Sequence, residues 1–204
     1  MNITRNDLIT LYNDNWVNDQ IINFYINLIM ERSANNRHYL PSVYGMSTFF
    51  FKRLGLSGYS GVRKWTKNVD IFFYDLILLP IHTNNNKHWC LAVIDIREKN
   101  IQYYNSLEIN VQDNTRDLEI IFNYLYNESL DKKNIILNRN EWLLENIYDN
   151  PKQNNYNDCG VFCCIYAEYI SRGRFNLNFS FKNIPYFRTK MILEIGYGML
   201  LNKI

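Results

Sequence analysis

Apolar residues recur at helical spacing in NDQIINFYINLIMERS, where Ile21, Ile22, Tyr25, Leu28 and Ile29 fall on one face. Asn18 and Asp19 precede them as an N-cap, so a helix is expected from there. Residues 45–66 read as one or two short helices with turns at Gly55, Gly58 and Gly61. The period then changes. IFFYDLILLPI is a continuous apolar run of strand length, closed by Pro80, and HTNNNKH is a turn. HWCLAVIDI and IQYYNSL read as the two strands of a hairpin, with REKN between them. Residues 113–131 suit a helix opened by Asp113, and EWLLENIY suits a strand. A helix should run from Cys159 to Ser171, ended by Gly173, and a last one from Pro185 to Leu201. Helices, then strands, then helices predict an α+β fold with a central sheet covered by helices.

The chain has 204 residues, 47% of them hydrophobic and 16% aromatic, which suits one packed domain over 1–204. A net charge of +2 gives no reason to expect nucleic acid as a partner. No apolar run approaches the length of a membrane span, and MNITRNDLIT lacks the apolar stretch of a secretory signal. Neither a repeat nor a Pro/Gly/Ser-rich linker divides the chain.

QNNYNDCGVFCC, residues 153–164, holds three of the four cysteines. No disulfide framework is expected, and adjacent Cys163 and Cys164 without a CxxC pair do not make a zinc site. Cys159 stands at the expected start of a helix. Free backbone N–H groups there favour a thiolate, which is the nucleophile. Cys163, Cys164 and Cys90 read as small core residues. A thiolate needs a base, and the histidines are His38, His82 and His88. His38 follows a helix in a loop, His82 closes a strand, and His88 opens the next one beside Trp89. Position favours His88 and leaves the other two open. If the hairpin forms, Asn105 at the end of its second strand lies near His88 and can accept from the imidazole. The expected resting state is a thiolate–imidazolium pair, with Nδ1–H donating to Asn105. Asp95 is the alternative third member.

Six blocks together resemble one family: NWVNDQIINFYINLIMERS, GYSGVRKWTK, HWCLAVID, YYNSL, QNNYNDCGVF and YAEYISRG, with IPYFRTKMILEI behind them. They are similar, in order and across nearly the whole chain, to the Ulp/SENP family of SUMO-specific cysteine proteases. The resemblance implies a papain-like fold, with a mixed sheet flanked by helices and the nucleophile at a helix N-terminus. It implies cleavage after a C-terminal Gly-Gly, by Cys159 as nucleophile and His88 as base, with Gln153 as an oxyanion donor. Trp16 and Trp89 match two tryptophans that close a narrow tunnel over the Gly-Gly tail. Asp19 matches an acid facing an arginine of the modifier, and Arg63 and Lys64 fall in another modifier-facing stretch. It further implies an intracellular monomer, in nucleus or cytoplasm, with no cofactor and no metal, whose partner is SUMO or a related ubiquitin-like protein.

Two departures stand out: Asn105 occupies the place of the family's usual Asp, and Tyr156-Asn157 replaces the usual Gly-Ser before DCG. Alternative functions are a protease for ubiquitin or another modifier, a modifier-binding module weakened by Asn105, and an acyltransferase on a related Cys-His-acid fold. The last would need an acetyl-CoA site, for which 204 residues leave no evident room.

Overall fold

The computed structural model describes residues 2–83, 87–107 and 113–201. Five strands form one sheet in sequential order: β1 (Val43–Gly45), β2 (Leu76–Thr83), β3 (His88–Asp95), β4 (Asn100–Tyr104) and β5 (Leu143–Ile147). The outer pairs, β1–β2 and β4–β5, are parallel and the inner pairs antiparallel, so the sheet is mixed. The expected α+β architecture is therefore present.

Alternation along the strands divides the core in two. Leu76, Leu78, Leu91, Val93 and Tyr104 face one side. There they pack with α2 (Asp19–Asn35), α5 (Cys159–Ile170) and α6 (Ile184–Tyr197). Ile77, Leu79, Ile81, Ala92, Ile94, Ile101 and Tyr103 face the other side, under α3 (Phe50–Val62) and α4 (Thr115–Lys133). Every residue of β3 is buried, as befits the middle strand of a sheet covered on both faces.

The helix at Asp19 starts where expected, with the Asn18 side chain accepting from Ile21 N at 3.1 Å. The hairpin also forms, with Leu91 opposite Tyr104 and Asp95 opposite Asn100. Gly58, at φ 60°, breaks the geometry of α3 as its glycines suggested.

Other boundaries moved. The apolar run from Ile71 begins as a 3₁₀ turn, Ile71–Phe73, capped by Asp70. The strand starts only at Leu76 and continues through Pro80 to Thr83 instead of stopping there. The reason is that β1 pairs only with Leu76–Leu78. Beyond Leu78 one side of β2 is an open edge, where a residue without N–H removes no ladder bond. Asp113 accepts from Thr115 N at 2.9 Å from just outside α4, which starts at Thr115. The last helix ends at Gly198, φ 66°, short of Leu201. The turn expected at 82–88 lies partly outside the described residues.

Two elements were not anticipated: β1 and a short helix α1 (Arg5–Ile9). The latter begins in a capping box, in which Thr4 and Asp7 each satisfy the other's backbone N–H. Asp7 also accepts from Asn18 Nδ2 at 2.9 Å, which ties α1 to the cap of α2.

Candidate active site

The open end of the β3–β4 hairpin brings His88 and Asn105 together. His88 Nε2 lies 2.8 Å from Asn105 Oδ1. Leu107 N donates to the same Oδ1 at 2.9 Å. A backbone N–H requires an acceptor, so this second bond identifies the atom facing His88 as oxygen and not the amide nitrogen. His88 therefore carries its proton on Nε2, and Nδ1 is the basic nitrogen. The expected donation from Nδ1 is corrected to Nε2. The backbone of Asn105 is held as well, its carbonyl accepting from Asn150 Nδ2 and Lys152 Nζ, both at 2.9 Å. Asp95, the alternative partner, is at the other end of β3, about 23 Å away at ~3.3 Å per residue. It caps the hairpin turn by accepting from Arg97 N and Glu98 N.

Cys159 is the first residue of α5, which packs across β3. Its thiol lies against the backbone N–H of Trp89, the neighbour of His88, and against those of Gly160 and Cys159 itself. A Cβ at Gly160 would come within 2.8 Å of Val17 Cβ and 3.4 Å of Trp89 Cδ1. Glycine is thus what lets the head of α5 approach Trp89.

The electrostatics differ from expectation. Burial pushes the Cys159 thiol above its ordinary value, overriding the three N–H groups that pull it down, and Asp158 adds to the rise. Burial likewise lowers His88; the bond to Asn105 opposes this and nearby His82 adds to it. Both shifts act against a thiolate–imidazolium pair and toward neutral thiol and imidazole. The other cysteines are buried and free, with Cys90 pushed up to about 12 and Cys163 and Cys164 also raised by burial. Cys163 Sγ donates to Cys90 O at 3.4 Å.

Gln153 is buried and docked on the residue after Asn105. Gln153 N donates to Ser106 O at 2.8 Å, and Ser106 Oγ donates to Gln153 Oε1 at 2.6 Å. Its amide nitrogen is thereby turned toward the loop before Cys159, where it donates to Asn155 O at 2.6 Å.

The two tryptophans differ in exposure, 43% for Trp16 and 8% for Trp89, so only Trp16 offers solvent a broad face. Trp16 Nε1 donates to Asn157 Oδ1 at 2.7 Å, and Trp89 Nε1 donates to Val17 O at 3.2 Å. His82 stacks on Trp89 with ring centroids 4.3 Å apart. Burial lowers its pKa; Lys52 adds to this and Asp19 opposes it.

This geometry has close counterparts. Residues 15–197 match the profile of the Ulp1 protease family, C-terminal catalytic domain. The chain belongs to that family. A sentrin-specific protease of Caenorhabditis elegans is 44% identical over 199 residues, covering 98% of this chain and 28% of the relative. Sentrin-specific protease 2 of Homo sapiens is 42% identical over 203 residues, covering 98% and 33%. The chain thus spans about a third of the length of these relatives. Among solved structures, the C-terminal Ulp1 protease domain in complex with Smt3, the yeast orthologue of SUMO, superposes with a TM-score of 0.83. It is 32% identical and covers 96% of this chain and 83% of that one. The resemblance carried by the six sequence blocks is borne out at the level of family and fold.

Within this family fold, His88, Asn105, Gln153, Trp89 and Cys159 converge at the open end of the hairpin and the head of α5. Asp19 is the first residue of α2 and accepts from Gln20 Nε2 at 3.3 Å. Arg63 lies elsewhere, at the C-terminus of α3 on the opposite face of the sheet. There it forms a two-pronged pair with Asp131, at 2.7 and 2.6 Å. Lys64 follows it along a shallow groove that also holds Lys67, Lys132 and Lys133. Sequence reasoning missed Ser106, Leu107 and Asn157, which orient Gln153, Asn105 and Trp16. Ser106 and Asn157 sit within the quoted motif blocks, and only their side-chain contacts across the fold reveal their roles.

Proposed function

We propose that this chain is the catalytic domain, spanning 1–204, of a thiol protease that cleaves after the C-terminal Gly-Gly of SUMO. The substrate bond is a peptide bond in a precursor or an isopeptide bond to a lysine of a conjugate. The observation that carries the reading is the fixed chain of contacts Leu107–Asn105–His88 beside the head of α5. It holds the imidazole by Nε2 and leaves Nδ1 as the basic nitrogen, on the strand whose Trp89 N–H meets the Cys159 thiol.

The directions of the two shifts set the order of events. Nδ1 of His88 takes the Cys159 proton as Sγ attacks the carbonyl carbon of the last glycine. The carbonyl electrons move onto oxygen, where the second amide proton of Gln153 and a backbone N–H at the head of α5 receive the charge. The C–N bond breaks and His88 protonates the departing amine, which leaves a thioester on Cys159. Water then gives a proton to His88 and attacks the thioester, releasing the glycine carboxylate and the thiol. Asn105 holds the imidazole throughout, with its oxygen as acceptor in both protonation states. That favours an active protease over a module that only binds.

Trp16 and Trp89 bracket the tail, and Asp19, with Arg63 and Lys64 more remotely, contacts the folded body of the modifier. The partner is SUMO or a close relative, and the reaction calls for no metal or cofactor. The test is reaction with SUMO and ubiquitin probes bearing a C-terminal electrophile. A SUMO adduct on Cys159 is expected. An adduct with ubiquitin alone would reassign the modifier, and none with either would overturn the reading.

A further inference from the structure

We propose that Arg188 of α6 is a positioning residue for catalysis. It clamps the residue before the nucleophile and the residue before Trp16 into one rigid unit. The proposal rests on the protease reading for its kinetic effect, and its electrostatic effect can be read without any modifier.

Arg188 and Asp158 are each 5% exposed. Nε and Nη2 of Arg188 both donate to Asp158 Oδ1, at 3.0 and 2.6 Å, while Asp158 Oδ2 accepts from Asn155 Nδ2 at 2.7 Å. The remaining donors go to carbonyls: Nη2 to Asn15 O at 3.0 Å and Asn157 O at 3.4 Å, and Nη1 to Thr10 O at 3.3 Å. One guanidinium thus joins the end of α1, the strand of chain that carries Trp16, and the turn that delivers Cys159. The same turn reaches back to Trp16 through Asn157 Oδ1. All but one of these acceptors lie within two residues of Trp16 or Cys159.

Stability alone is a weak reason for such a pair. Two charges buried together recover little over an apolar pair of the same size. What the fork provides is geometry, because five donors in one plane fix several segments at once. A misplacement of about 1 Å between nucleophile and substrate channel costs on the order of 10² in rate. The charge has its own consequence. Asp158 adjoins Cys159 and disfavours its thiolate, and Arg188 is the cation that offsets it.

Three variants separate these effects: Arg188→Lys, Arg188→Met and the double variant Asp158→Asn/Arg188→Met. The first readout is the pH dependence of Cys159 alkylation by iodoacetamide, followed by mass spectrometry on the Cys159 peptide. The second is kcat and KM on a modifier substrate. Arg188→Met should move the alkylation midpoint up by about one pH unit, because the Asp158 charge is left unopposed. The double variant should return it to the wild-type position. Arg188→Lys should keep the midpoint but lose ~10-fold in kcat, with KM nearly unchanged, because an ammonium cannot hold the fork. A folded Arg188→Met with wild-type midpoint and kcat overturns the proposal. So does one that melts earlier but keeps both the wild-type midpoint and the wild-type kcat, since that is a scaffold role. If Arg188→Met fails to fold, wild-type kcat/KM in Arg188→Lys overturns it. Failure of the wild-type chain to process any modifier would instead refute the protease reading, while the alkylation result would still decide the role of Arg188.

Discussion

An amide beside a histidine has two unlike ends, and only one can accept from an imidazole. In this chain the Leu107 N–H selects that end, which removes the usual objection to asparagine beside a histidine. What asparagine lacks is charge. Asn105→Asp would stabilise imidazolium and raise the His88 pKa from its lowered position. If thiol and imidazole rest neutral, as the two shifts favour, the free base is then lost at higher pH. The acid limb of kcat/KM against pH should therefore move up, whereas a thiolate–imidazolium site would show the shift in the alkaline limb. Asn105→Ala should lose most activity across the range, because His88 loses its acceptor. Wild-type activity in that variant would remove Asn105 from the site. Cys159→Ser should abolish cleavage and leave modifier binding intact by calorimetry. Cys163→Ala should keep its kcat and melt earlier, by ~1 kcal/mol of stability. Motif and hairpin register put Cys159, His88 and Asn105 forward as candidates, and the fold brings His88 and Asn105 within 2.8 Å. The sequence did not reveal which imidazole nitrogen faces Asn105, because that depends on a ring rotation no residue pattern encodes.

Among the elements, the contact between the head of α5, Val17 and β3 governs the site. Gly160→Ala would press a methyl group against Val17 Cβ and lift the nucleophile from Trp89. Far-UV circular dichroism should stay close to wild type, while kcat/KM falls on the order of 10². A variant of undiminished activity would show that the close approach is not needed. Legibility varied at this scale for physical reasons. α2 and the β3–β4 hairpin announced themselves by long periods and clear turn residues. β1 spans only Val43–Gly45, too short for any period to register. The early stop at Pro80 rests on reading proline as the close of the run; β1 pairs only as far as Leu78, so the edge beyond it tolerates the proline.

Across the whole molecule, the sheet supplies His88 and its acceptor Asn105, and α5 the Cys159 thiol. The segment before α2 brings Trp16 to the same place. These parts come from opposite ends of the sequence, so local patterns could name the residues but not their mutual approach. The Arg188–Asp158 pair, 30 residues apart, was likewise invisible as a pair. The tunnel expectation belongs to this scale. If Trp16 and Trp89 enclose the tail, a modifier ending in Ala-Gly should be cleaved at least ~10²-fold more slowly than one ending in Gly-Gly, since a Cβ has no room between indole faces. Equal turnover of the two would refute the enclosure.

The contact of the His82 ring with Trp89 gives this indole a built-in optical reporter. A protonated imidazole over an indole is a cation against a π face, and it quenches emission where the neutral ring does not. Burial holds the midpoint below the ordinary histidine value; Lys52 resists that protonation and Asp19 favours it. Emission should therefore dim as pH falls through a point under 6.5, the ordinary value. The change should vanish in His82→Gln and in Trp89→Phe. A tail seated against Trp89 would shift that midpoint, so a fluorescence titration with a bound, uncleavable modifier would report occupancy of the channel with no turnover at all. An unchanged titration curve would place the tail elsewhere.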